Sequence, residues 1–193
     1  MTAAPTGVPT AYLGLRQDAI TQLAAWVAPD AQQETWRTEL LEHCRRHPDA
    51  LWKQGPRQHL TAGAIVLDES LQHVLLTLHA KARMWLQFGG HCEPEDTSVH
   101  AAATREAREE SGLLDLVLDP RIVELHPHRL LAPAFGRCGE HLDIRFAGVV
   151  PREAAFAVST ESLDVAWWPA DGMPPETEAE LCPLVRAAQR LLA

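Results

Sequence analysis

Apolar residues in the first part of the chain recur at the three- and four-residue spacings of amphipathic helices. This pattern extends over about residues 14–51 and is interrupted at residues 28–30, where Pro29 breaks it. Residues 53–56 are polar and include Gly55 and Pro56, which disfavour regular structure. We therefore predict an N-terminal helical extension, residues 1–55, built on a pair of helices and followed by a main domain, residues 56–193.

Short apolar runs separated by turn residues follow this extension and are typical of strands mixed with helices. The first two runs flank a turn at residues 68–70, so together they resemble a hairpin. Pro174 and Pro175 precede a closing helix that we expect over residues 176–192. The predicted strands cover residues 60–67, 74–78, 122–125, 142–150 and 164–168. This order predicts a mixed α/β fold.

A loop rich in glycine and acidic residues, 89–96, leads into a third predicted helix. Thr97 or Ser98 is a suitable N-cap for this helix, and Gly112 is a suitable stop after Ser111. The helix carries three glutamates at positions i, i+3 and i+4, whose side chains project from one face. They are Glu106, Glu109 and Glu110.

Like charges on one helix face repel one another by a few tenths of a kcal/mol for each pair, roughly. A bound cation would offset this repulsion, and hard divalent ions such as magnesium prefer oxygen ligands. The glycine pair before the helix would let backbone atoms approach the same ion or a phosphate. An ordinary solvated acidic face is the alternative for such a helix taken alone.

The segment from Gly90 to Leu113 resembles the characteristic box of the Nudix hydrolases. That box runs Gly, five residues, Glu, seven residues, then Arg-Glu-apolar-x-Glu-Glu-x-Gly-apolar. The string REAREESGL, residues 105–113, matches its second half throughout. Two departures lie in the first half, because Asp96 stands where the family has Glu and eight residues separate it from residue 105. Phe88 also stands where a proline often precedes the glycine pair.

This resemblance implies the Nudix α/β/α sandwich, with a mixed sheet between helices. The activity it implies is hydrolysis of a pyrophosphate bond in a nucleoside diphosphate linked to another moiety, X, by a metal-activated water. Magnesium would be the cofactor, with manganese as a substitute. Glu109, Glu110 and the Gly89 carbonyl would be ligands of the metal ion. Glu106 would be a third carboxylate ligand or the general base. Arg105 would orient these carboxylates and assist catalysis.

Five further residues are candidates for contact with the substrate, and an ordinary surface or structural role is the alternative for each. They are Arg83, Glu93, His126, His128 and Arg145. A guanidinium can hold phosphate oxygens through two parallel hydrogen bonds. The two histidines, taken with His141 and Asp143, also raise the idea of a metal cluster, but we favour substrate contacts over ligation.

Composition limits the other classes of function. With 46% hydrophobic and 22% charged residues, the chain of 193 residues is typical of a globular protein. The formal net charge of −9 argues against a stable nucleic-acid complex. The four cysteines are scattered, so we predict neither a disulfide framework nor a zinc site. No apolar run is long enough to span a membrane, so we predict no membrane partner. We expect a cytoplasmic location.

The sequence does not determine the identity of the substrate or the oligomeric state. Some Nudix subgroups that act on diadenosine polyphosphates share a tyrosine downstream of the box, and here the only tyrosine is Tyr12, which disfavours that subgroup. Nucleoside triphosphates, ADP-ribose and nucleotide sugars are all compatible with the sequence. The N-terminal helices could form the surface of a homodimer, a lid over the site or a cap on the sheet. A catalytically silent nucleotide sensor or protein-interaction module on the same fold is the main alternative.

Overall fold

A computed structural model describes residues 7–130 and 136–193 of the chain. The helices in these ranges are α1 (Thr10–Ala25), α2 (Ala31–Arg46), α3 (Val99–Ser111) and α4 (Leu181–Leu192). The strands are β1 (Gln58–Asp68), β2 (His73–His79), β3 (Trp85–Leu86), β4 (Phe88–His91), β5 (Glu124–Arg129), β6 (Glu140–Val150) and β7 (Ser162–Pro169). The described chain is thus a mixed α/β protein in which helices precede the sheet, as the sequence predicts.

The seven strands form one sheet, with the order β3-β2-β1-β6-β5 along its main path. β4 also pairs with β1, and β7 pairs with β2. β1 and β2 form the predicted antiparallel hairpin, in which Val66 lies opposite Leu75. Every residue of β1 after Gln58 is buried, which explains its nearly continuous apolar run.

The chain divides into two compact units. The first unit is Met1–Ala62, His91–Ala102 and Leu125–Ile144, and the second is Gly63–Gly90, Ala103–Glu124 and Arg145–Ala193. Both units are assembled from separate stretches of sequence. The boundary that the sequence suggests near residue 55 therefore stays a prediction.

The break between the two N-terminal helices, which belong to the first unit, includes residues 28–30 as predicted, but α1 begins earlier, at Thr10, and α2 ends earlier, at Arg46, than the pattern over 14–51 suggests. The Asp30 side chain accepts a hydrogen bond from the Gln33 N–H at 2.8 Å and so caps α2. The Gln33 side chain, on the same helix, donates to the Leu125 carbonyl at 3.1 Å and accepts from the Leu125 N–H at 2.8 Å. This amide therefore satisfies both backbone groups of a β5 residue, and α2 fixes the start of that strand.

The helix with the three glutamates is capped as predicted. The Ser98 hydroxyl accepts a hydrogen bond from the Ala101 N–H at 3.0 Å, which confirms Ser98 as the N-cap. Gly112 has a φ of +72°, a left-handed conformation that suits a residue ending a helix. The acidic box therefore lies on one continuous helix with a defined start and end.

The closing helix is shorter than its pattern suggests. It begins at Leu181, and the start predicted at Glu176 is wrong because Glu176 has a φ of +54° and Thr177 forms a bridge to Trp85. Pro183 falls in the first turn, where its missing N–H breaks no helical hydrogen bond. In the second unit this helix buries an apolar face against the sheet, with Leu184 and Val185 fully enclosed.

Two other expectations change in strands β4 and β5. The predicted loop 89–96 begins as strand β4, and the strand expected over 122–125 is displaced to Glu124–Arg129. In both places backbone pairing with a neighbouring strand overrides weak local preference. In the described part of the chain, no helix has both the length and the hydropathy needed to cross a membrane.

Candidate active site

The three glutamates of α3 differ in their exposure to solvent. Glu110 is buried, the Glu106 side chain is 16% exposed, and the Glu109 side chain is 59% exposed. Their spacing places them on one face of the helix. The carboxylates therefore form a gradient from the protein interior to the solvent.

Strand β4 contacts this face through its two glycines, all within the second unit. The Gly89 N–H donates a hydrogen bond of 2.8 Å to Glu110 Oε2, and Gly89 has a φ of +151°, which L side chains rarely adopt. A Cβ on Gly90 would lie 2.7 Å from Glu106 Cδ and Oε1. The glycine pair thus lets one carboxylate bind a backbone amide and lets the other lie directly against the backbone.

Arg105 links two of the carboxylates. Its Nη1 lies 3.1 Å from Glu106 Oε1 and 3.0 Å from Glu109 Oε2. The Arg105 side chain is 20% exposed, so the pair of contacts is partly shielded from water. Arg105 is therefore within hydrogen-bond distance of both carboxylates.

Glu110 is in an unfavourable place for a negative charge. Burial is the main cause that raises its pKa to about 8, and the charges of Glu106, Glu161 and Glu109 raise it further, against the lowering effect of the Gly89 N–H. Glu161 precedes β7 and carries no signal in the sequence, because it is brought near α3 only by the fold. No sequence pattern therefore identifies this acidic neighbour of Glu110.

A hard divalent cation suits this group of residues. The donors are carboxylate oxygens, the ligand type that magnesium and manganese take, and a positive ion would relieve the repulsion around Glu110. The close contact between Glu106 and Gly90 holds that carboxylate at the strand edge. The residues Glu106, Glu109, Glu110 and Gly89, named from the sequence as metal ligands, are therefore adjacent in the second unit.

The two arginines considered for phosphate binding have different surroundings. Arg83 is exposed and has a φ of +59°, in the turn before β3. Arg145 is only 2% exposed, and its Nη1 lies 3.0 Å from Glu124 Oε1. The guanidinium of Arg145 is thus engaged in a buried ion pair, whereas that of Arg83 is open to solvent.

The other three candidates for substrate contact lie in the first unit. Glu93 is exposed, and its N–H donates to Asp96 Oδ2 at 2.7 Å, so Asp96 closes a turn in this loop. His126 is buried and packs edge-on against Trp36, with ring centroids 5.8 Å apart. His128 stacks on His126 at 5.6 Å. These histidines are therefore in packed rather than open surroundings.

A second group of histidines lies in the same unit. His59, His91 and His141 form a triangle of rings, and the Cys138 thiol lies beside it. Burial lowers the pKa of His91 to about 3 and that of His141 to about 4, so both rings are neutral at pH 7. From the sequence, only His141 of this group is a candidate for a metal cluster, because the four residues are far apart along the chain.

Comparison with known proteins agrees with this arrangement. The family described as NUDIX domain matches residues 57–186. Among curated protein sequences, none matches the chain. Among solved structures, a NUDIX-family hydrolase from Clostridium perfringens is similar, with 22% identity, coverage of 70% of this chain and 98% of that chain, and a TM-score of 0.51.

Two further structures share the fold with TM-scores of 0.55. The NUDIX domain of Shewanella oneidensis NrtR, complexed with ADP ribose, is 20% identical over 70% of this chain and 89% of its own. A C. elegans Ap4A hydrolase is 17% identical over 69% of this chain and 96% of its own. The fold is thus the Nudix fold, and since the family match spans more than half of the residues, the chain belongs to the NUDIX domain family.

Proposed function

We propose that this protein is a metal-dependent hydrolase that cleaves a pyrophosphate bond in a nucleoside diphosphate linked to another moiety. The observation that carries the proposal is the meeting of two α3 carboxylates with the glycine pair of β4, with the third, Glu109, on the same helix face. Glu106 lies against Gly90, and Glu110 accepts the Gly89 N–H. Family membership agrees with this chemistry.

In this proposal, Glu109 and Glu110 hold magnesium or manganese, together with the carbonyl of Gly89. When bound, the ion neutralises the diphosphate and lowers the pKa of a coordinated water. Glu106 is a third ligand or accepts the proton of the attacking water. Arg105 keeps Glu106 and Glu109 directed toward the same volume through its two contacts.

Substrate contacts are the next part of the proposal. Arg83 is exposed and accessible to a phosphate oxygen, whereas Arg145 would act by holding Glu124 in a buried ion pair. Glu93, His126 and His128, which the sequence suggests as further substrate contacts, lie in the first unit and stay predictions. Residues 1–55 are proposed as a helical extension and 56–193 as the hydrolase domain, in a cytoplasmic protein that is compatible with a homodimer.

The direct test is a hydrolysis panel with and without magnesium or manganese at mildly alkaline pH. The panel contains nucleoside triphosphates, nucleotide sugars, ADP-ribose and Ap4A, the last two because similar structures are described with them. We expect metal-dependent cleavage of at least one member. Binding of a nucleotide without turnover of any member would contradict the hydrolase and favour a sensor on the same fold.

The site assignment is tested by Glu109→Gln, which keeps the shape of the side chain and removes its charge. We expect kcat to fall by several orders of magnitude with the fold intact, because a metal ligand is lost. Glu153→Gln, an exposed glutamate elsewhere in the second unit, is the matched control and should be unchanged. Equal turnover by the two variants would mean that the metal is held elsewhere.

A further inference from the structure

Four side chains of the first unit converge on one point without any residue of the α3 site. They are His59 at the start of β1, His91 at the end of β4, Cys138 before β6, and His141 within β6. Each offers one nitrogen or sulfur atom, and these four atoms all lie within 4.8 Å of one another. Imidazole nitrogen and thiolate sulfur are both ligand types that zinc takes, and its structural sites are usually filled by four such protein ligands.

The distances agree with tetrahedral coordination. His59 Nε2 and His91 Nε2 are 3.1 Å apart, and Cys138 Sγ is 3.7 Å from His91 Nε2. Zinc bond lengths imply about 3.3 Å between two nitrogens and about 3.6 Å between nitrogen and sulfur on a tetrahedron. The three ring centroids are 5.0, 5.3 and 5.0 Å apart, close to the roughly 5.2 Å implied when each ring binds through Nε2.

Hydrogen bonding prepares the nitrogens for ligation. His59 Nδ1 lies 2.9 Å from the Pro56 carbonyl, which can only accept, so Nδ1 carries the hydrogen and the neutral ring has a bare Nε2. Such an outer contact to a carbonyl is usual for metal-bound histidines. His141 Nε2 is buried and has no hydrogen-bond partner among the described residues. An ion would give the His141 nitrogen a partner and would replace the contact between the His59 and His91 nitrogens.

The backbone around Cys138 is fixed against the strand that carries His59. The N–H of Gly139 donates to the Arg57 carbonyl at 2.8 Å, and Arg137 donates from Nη2 to the Gly55 carbonyl at 2.8 Å. These contacts bring the thiol beside the histidines without depending on the ion. Hydrogen bonds of the protein itself therefore position Cys138 beside the histidines.

We propose that His59, His91, Cys138 and His141 bind one zinc ion in a closed structural site. All four positions of a tetrahedron are filled by protein atoms, so the ion has no open position for substrate, as in structural rather than catalytic zinc sites. It ties together the start of β1, the end of β4 and the start of β6. The Cys138 sulfur binds as a thiolate, and its proton leaves to solvent.

The test uses full-length protein without a histidine tag. We expect about one zinc per chain by mass-spectrometric metal analysis, retained in the presence of magnesium. Cobalt added to the zinc-free protein should give the near-ultraviolet thiolate-to-metal charge-transfer band and strong visible absorption of a four-coordinate site. Cobalt bound to carboxylates alone gives no such charge-transfer band, which separates this site from the α3 carboxylates.

Cys138→Ser should lose the charge-transfer band and bind zinc more than about 100-fold more weakly, beyond the cost of losing an outer hydrogen-bond partner. Cys182→Ser, at a half-buried cysteine in α4, is the matched control and should retain both. No zinc in the wild-type protein, or an unchanged band in Cys138→Ser, would overturn the proposal.

A second measurement needs no variant and covers the case in which Cys138→Ser fails to fold. Wild-type protein is treated with iodoacetamide with zinc, with magnesium, or with neither, and the modified peptides are identified by mass spectrometry. Zinc alone should protect Cys138, while labelling of Cys182 stays the same in all three samples. Equal labelling of Cys138 with and without zinc would contradict the site.

Discussion

Gly90→Ala isolates the contact between β4 and the Glu106 carboxylate. The added Cβ would lie 2.7 Å from Glu106 Cδ and Oε1 and 2.8 Å from Oε2. Non-bonded carbon atoms pack at about 3.5–4.0 Å, so the carboxylate must move by roughly 1 Å. The atoms that move are at the end of a side chain, and we therefore expect the fold to persist while the active site is displaced.

The size of the effect follows from that displacement. A misplacement of about 1 Å in a catalytic arrangement can cost about 100-fold in rate, which corresponds to about 2.7 kcal/mol of transition-state stabilisation. We expect a loss of this order in kcat/KM on the best substrate of the hydrolysis panel. The free energy of unfolding, measured by urea denaturation, should change by less than about 1 kcal/mol.

Gly172→Ala is the matched control, because its Cβ would meet only Pro169, at 3.4 Å, an ordinary contact. Its activity and stability should equal those of the unchanged protein. Gly90→Ala with kcat/KM within about threefold of the unchanged protein would refute the reasoning, because Glu106 could then tolerate a displacement of this size. A large loss of stability in Gly90→Ala would instead mean that the substitution disrupts the sheet and not only the position of Glu106.

Three other changes test separate contacts. Arg105→Ala should lower kcat about 10- to 100-fold with little change in the free energy of unfolding, because the Glu106 and Glu109 carboxylates lose their shared partner. An unaltered kcat in steady-state kinetics would contradict the positioning role of Arg105. Glu124→Gln removes one charge of a buried ion pair and should lower the free energy of unfolding, measured by urea denaturation, by about 3 kcal/mol. Adding Arg145→Met to this variant should recover part of that stability. If the two substitutions instead destabilise the protein additively, the two side chains are not coupled. Gln33→Ala leaves two buried backbone groups of Leu125 unsatisfied and should cost about 2 kcal/mol in the same assay, whereas a loss below about 0.5 kcal/mol would mean that water replaces the amide.

The elements that the sequence predicts well are those whose burial is periodic or continuous. β1 is buried along almost its whole length, and α3 has a serine cap and a terminal glycine, so both are evident from local composition. β3 and β4 are short and contain few strand-forming residues, and their pairing with β2 and β1 decides their state. The predicted start of α4 is too early because the residues before Leu181 include a bridge to Trp85 instead of a helical turn.

The α3 box can be found without a structure because its chemistry lies within one helix. Helical geometry alone puts Glu106, Glu109 and Glu110 on a common face. The residues that contact that face come from other elements of the structure. Glu161 approaches through a tertiary contact that no spacing rule connects to the helix, whereas the family box relates Gly90 to the helix by spacing but does not show which carboxylate each β4 glycine contacts.

The sequence by itself determined the family-specific helix, the alternation of helices and strands, and the acidic character of the site, since each depends on neighbours within a few residues. Only the tertiary structure decided that Arg145 pairs with Glu124, that Glu110 is buried, and that Cys138 meets three histidines. The physical reason is that burial and side-chain convergence depend on which strands pair. Residues far apart in the chain carry no local pattern that records their meeting in space.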